Sequence, residues 1–153
     1  MNFLYLKTFA LIWWRGIFFP EEKMNYLDKN LISQDDADWM AQKKSEVLSV
    51  LIERVLPDDI GFEDYHHFDY LLPKTLEFPD EAYEFIEDKH LLKLHISFYQ
   101  EKRPSYQVIL CLVIKSSEKV ENFIPILNYQ TFFKEMTGIF LPQDAKCIER
   151  LIN

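Results

Sequence analysis

The chain has 153 residues, 48% hydrophobic and 27% charged, with 13 Phe, 8 Tyr and 3 Trp against only 3 Gly. That length fits a single domain over 1–153, and the composition excludes collagen-like, low-complexity and intrinsically disordered chains. The net charge of −8 repels phosphate backbones, which argues against nucleic acid as a ligand and for a basic partner.

Residues 1–19 are nearly all apolar, broken mainly by Asn2, Lys7, Thr8 and Arg15. Two charges inside the run, with Gly16 and Pro20 closing it, make a poor membrane span, and no small-residue cleavage site follows. The segment reads as a helix over 3–15 packed on the core. Trp13 and Trp14 also suit a helix lying at a membrane interface, which is the competing reading.

A second helix is signalled more strongly. Ser33 is a good N-cap, Asp35, Asp36 and Asp38 sit where the helix dipole favours anions, and Pro57 ends the run. Ala37, Met40, Val47, Leu48, Leu51 and Val55 recur at helical spacing, giving about 23 residues and roughly 34 Å of helix. Asp58 to Gly61 is a turn. Phe62 to Leu72 is expected as a short edge strand or irregular, limited by Pro73. Pro79 followed by Asp80 and Glu81 predicts a short helix over 80–88.

The clearest strand signal follows. Leu92, Leu94, Ile96 and Phe98 alternate with Lys93, His95, Ser97 and Tyr99, which implies one polar face with His95 exposed on it. After a turn at 100–104, residues 105–115 are apolar on both alternating sets, as expected of a central strand covered on both faces. The pair forms an antiparallel hairpin over about 91–99 and 105–115. A polar loop at 116–121 leads to a third strand over 123–127 despite Pro125. Two helices are expected to finish the chain, one over 128–137 stopped by Gly138 and one from Pro142 presenting Ala145, Ile148 and Leu151 or Ile152. The fold class is α+β, a small antiparallel sheet built on the hairpin and packed with N- and C-terminal helices.

Most catalytic signatures are missing. No G-x-S-x-G, G-x-G-x-x-G, Walker loop, EF-hand or zinc spacing occurs, so no cofactor is expected. Cys111 and Cys147 lie far apart without metal spacing and read as reduced, structural thiols of a cytoplasmic protein. His66 and His67, flanked by Glu63, Asp64 and Asp69, are the most metal-like group, and a metal-dependent enzyme or ligand-binding protein built on them is the alternative function. Adjacent residues on a strand point to opposite faces, which counts against both holding one ion. Lys102, Arg103 and neighbouring lysines read as protection for the hairpin rim.

The acidity is concentrated. Residues 58–88 hold eleven acids against one base, Lys74, so nearly all the net charge belongs to this stretch. Interleaved with those acids are Phe62, Tyr65, Phe68, Tyr70, Phe78, Tyr83 and Phe85. Charge to steer and aromatics to anchor are what a docking surface needs. The expected function is a non-enzymatic protein-binding module that occludes or escorts a basic partner, as immunity proteins, inhibitors and secretion chaperones do. The expected partner-binding residues are Asp58, Asp59, Glu63, Asp64, Asp69, Glu81, Glu84 and Glu87. A homodimer is compatible with the sequence but not demanded by it.

Overall fold

The computed structural model describes residues 32–100, 102–116 and 120–150, so the helix expected over 3–15 lies outside the described residues. The fold is α+β. Helix α1 (Gln34–Arg54) is capped by Ser33, whose Oγ accepts the Asp36 amide at 3.1 Å, and it closes with the Val55 amide on the Leu51 carbonyl. A 3₁₀ helix (Phe62–Leu71) runs straight into the short helix α2 (Leu72–Glu77). Five strands follow: β1 (Glu81–Glu87), β2 (His90–Gln100), β3 (Pro104–Ser116), β4 (Val120–Thr131) and β5 (Lys146–Arg150), with a second 3₁₀ helix (Lys134–Phe140) between the last two.

The sheet is antiparallel with order β4-β3-β2-β1-β5. Because side chains alternate across a strand, the sheet offers two faces. One carries Leu92, Leu94, Ile96, Val108, Leu110 and Tyr129, sealed by Val47 and Leu51 of α1 and by Met136 and Phe140 of the second 3₁₀ helix. The other carries Ile109, Cys111, Val113 and Phe123, sealed by Leu72 and Leu76 of α2. The expected hairpin is present as β2–β3, and β3 is covered on both sides as its sequence predicts. Pro125 is tolerated because β4 is an edge strand with a bulge at that point, where Leu110 pairs Leu127 and Cys111 pairs Pro125.

Five expectations are corrected. Within the helix expected over 80–88, residues 81–87 form strand β1 instead: seven residues nucleate a helix poorly, whereas Tyr83, Phe85 and Ile86 favour a strand that both β2 and β5 can pair. The polar set of β2 is not solvated, because α2 lies over it; Lys93, His95 and Ser97 are all buried. Residues 128–131 extend β4, and Gly138 lies inside the second 3₁₀ helix instead of ending an α-helix. Residues 146–150 are the edge strand β5, so Ala145 and Ile148 do not share a helix face. The stretch 62–71, read as edge strand or irregular, is the first 3₁₀ helix.

Helix α1 is tied to the β1–β2 turn by polar contacts. Lys43 Nζ meets Glu87 at 2.5 Å, Trp39 Nε1 donates to Asp88 at 3.2 Å, and His90 Nε2 sits 3.0 Å from Asp36 while its ring stacks on Trp39 at 4.0 Å. The turn itself is strained, with Asp88 at φ 49° and Lys89 at φ 69°, a two-residue geometry that favours Asn-Gly. Lys89→Gly is expected to stabilise the fold by about 1 kcal/mol, since a left-handed backbone costs an L residue about that much. Urea unfolding measures the change, and a loss of stability contradicts the turn assignment.

Candidate functional site

The acidic stretch begins where α1 stops. Asp59 closes the turn, its Oδ2 accepting the Leu56 amide at 3.0 Å and its Oδ1 accepting the Thr131 hydroxyl at 2.6 Å. Ile60 is buried, and the 3₁₀ helix then packs along the end of β4. With three residues per turn, positions i and i+3 eclipse. Tyr65, Phe68 and Leu71 therefore share an inward stripe, and Tyr65 meets the Tyr129 ring edge-on at 6.1 Å. Glu63, Asp64, His66, His67 and Tyr70 are left outside.

The consequence is an exposed surface in which acids alternate with large aromatics. Phe62 heads the inward row, packed on Tyr65 at 5.0 Å and only 38% exposed, whereas Tyr70 and Phe78 are 64% exposed. Residues 58–78 hold six acids against Lys74. Asp58 is largely exposed, with Arg103 Nη2 3.9 Å away. Arg103 Cζ itself sits over the Phe132 ring, 4.1 Å from its centroid.

Five of the eight expected partner-binding acids, Asp58, Asp59, Glu63, Asp64 and Asp69, belong to this surface, although Asp59 is committed to the turn. The other three sit on β1, three strands from β4 and hence roughly 14 Å away. There Glu81 is held by Lys134 at 3.3 Å, by Arg150 at 4.0 Å and by the Tyr83 hydroxyl at 3.0 Å. Glu87 is held by Lys43. Glu84 points to the opposite face of the sheet, across from Lys93. The eight acids do not form one patch.

His66 and His67 are both exposed, with ring centroids 3.9 Å apart and His66 Nδ1 2.9 Å from the Glu63 carbonyl. Among the described residues no three His, Cys, Asp or Glu side chains are placed to hold a metal ion. Cys111 is buried and its thiol is pushed up by desolvation, which makes it a poor nucleophile, while Cys147 is exposed and free.

Beneath α2 lies a polar layer that sequence reasoning missed. Ser97, Gln107 and Gln130 are cross-strand neighbours in one row, all buried, with His95 in the next row. Gln107 donates to Asn128. His95 Nδ1 donates to the Thr75 carbonyl at 3.3 Å, and among the described residues its Nε2 has no hydrogen-bond partner. Burial pushes the imidazole down to about 4; the Thr75 carbonyl opposes this shift and the Lys93 ammonium adds to it. The signal for this layer was two glutamines at strand positions whose neighbours are apolar.

A second feature without a sequence signal is an open cavity of about 480 Å³ between α1, β1 and the second 3₁₀ helix. No family model matches the chain, and neither the curated proteins nor the solved structures contain a match.

Proposed function

We propose that the chain is a non-enzymatic protein-binding module that captures a basic partner on the surface formed by residues 58–78 and occludes or escorts it. The roles this suits are those of an immunity protein, an inhibitor or a secretion chaperone, acting in the cytoplasm. The observation that carries the reading is the exposure of Tyr70 and Phe78 among acids. Fully burying an exposed large aromatic side chain is favourable by about 1.5–3 kcal/mol, and Tyr70 and Phe78, each 64% exposed, retain most of that gain and supply the anchors for a docked partner. The acids supply long-range steering, and Asp58, Glu63 and Asp64 have no structural duty comparable to that of Asp59. Glu81 and Glu87 are left out of the binding set because their charges are already answered within the fold. Among the described residues no helix is long and apolar enough to cross a membrane.

The test is capture from lysate on immobilised wild-type protein and on Tyr70→Ala/Phe78→Ala in parallel. The expected result is a basic protein held at about 50 mM salt, released as added salt shortens the Debye length, and lost from the variant. Equal retention on both columns overturns the assignment of this surface.

A further inference from the structure

We infer that the cavity between α1, β1 and the second 3₁₀ helix is a binding site for a small amphiphilic amine, an aromatic or branched apolar body joined to an ammonium group. Its volume of about 480 Å³ lies within the range of small-molecule sites, roughly 300–1,000 Å³. The interior is apolar, lined by Val47, Val50, Phe85, Leu110, Phe140 and Leu141. Val47, Phe85, Leu110 and Phe140 are buried core residues, so this part of the wall is fixed by the same packing that holds the fold.

The polar lining is asymmetric. It consists of Lys43, Glu46 and Glu87. Lys43 Nζ lies 2.7 and 2.5 Å from the two oxygens of Glu87, so its charge is met before any ligand arrives. Glu46 is exposed one turn further along α1, where its Oε1 accepts a neutral hydrogen bond from Gln42 at 3.1 Å. Among the described residues the lining therefore keeps one negative charge that no cation answers, beside an apolar interior. An ammonium head fits that charge, whereas a carboxylate head meets two acids and a lysine already engaged. This site shares no residue with the surface at 58–78 and does not depend on the proposed protein partner.

The test uses the full chain and a matched pair of probes, 4-phenylbutylamine and 4-phenylbutyrate, titrated by calorimetry at low salt. The amine is expected to bind about fivefold or more tightly than the acid, the size of effect that one exposed charge supports when attraction is replaced by repulsion. Val50→Trp fills the cavity from its half-buried wall and is expected to abolish binding. Glu46→Lys, a change on the exposed side of α1 that leaves the core untouched, is expected to reverse the preference toward the acid. Absence of binding by either probe, equal affinity for both, tighter binding of the acid, or amine binding that survives Val50→Trp overturns the inference. An amine preference that persists in Glu46→Lys overturns the role given to Glu46.

Discussion

Lysine in place of Asp58, Glu63, Asp64 and Asp69 is expected to slow association with the basic partner by roughly ten- to a hundredfold at low salt, with a modest fall in the melting temperature set by Asp69, which is half-buried and engaged within the fold. The four substitutions move the local charge by eight units at the surface where the aromatics are exposed, and steering of this kind raises on-rates by about 10–10³. The cost to folding is small at Asp58, whose only described ion pair spans 3.9 Å between two largely exposed groups. Asp59 is deliberately spared, because its carboxylate closes the turn and bonds Thr131. Asp144→Lys/Glu149→Lys supplies the control. Those acids lie in or beside β5, at the opposite edge of the sheet from β4 and four strands away, roughly 19 Å. Stopped-flow association across a salt series reads the result. Because the control moves four charge units against eight, a logarithmic fall of the on-rate in the control half that of the quartet or larger means that net charge alone matters, and the surface loses its assignment.

Stability is expected to fall by about 3 kcal/mol between pH 6.5 and pH 4 through one residue, His95. The imidazole is 5% exposed under α2, flanked by Lys93 and edge-on to Phe123 at 5.6 Å, and burial holds it down to about 4. Above pH 6.5 the side chain is neutral in both the folded and unfolded chain, so the stability is fully present. Between 6.5 and 4 the unfolded chain takes up a proton that the folded chain refuses, and each unit costs about 1.4 kcal/mol. Below about 4 the folded state protonates as well and the loss levels off. Exposed carboxylates add their own dependence, so the informative quantity is the difference between wild type and His95→Gln. Urea unfolding at pH 7.5, 6, 5 and 4 should give a visibly shallower decline in the variant. Parallel curves contradict the buried neutral imidazole.

The parts of the fold that were legible in sequence are those whose local signals and tertiary environment agree. Ser33, the acids after it and Pro57 bound α1 closely, and the alternation from Leu92 to Phe98 located β2 and its hairpin with β3. The misread segments are short ones, where pairing decides. Pro79-Asp80-Glu81 imitates a helix start, yet β1 gains hydrogen-bonded neighbours on both sides and gives up only a weak local preference. At the C-terminus, Pro142 suggests a first helical turn, but the five residues of β5 are held by β1.

The candidate site shows the same division. The concentration of acids and aromatics was visible, because it is a property of composition. Which of them face water was not, because that depends on a three-residue period in the 3₁₀ helix and on Lys43, Lys134 and Arg150 arriving from elsewhere to answer Glu87 and Glu81. His95 was misplaced for a related reason: the helix that covers it, α2, contributes only two apolar side chains, Leu72 and Leu76, to that face beside the polar Thr75. Two leucines in a six-residue segment carry no periodicity from which a covering helix can be read.

The most direct test of the central claim is amide hydrogen exchange on the complex between this chain and the basic partner it captures. Protection confined to residues 58–78, with β5 and the second 3₁₀ helix unchanged, is the predicted result. Protection at β5 or along α1, with residues 58–78 exchanging as in the free protein, contradicts the assignment.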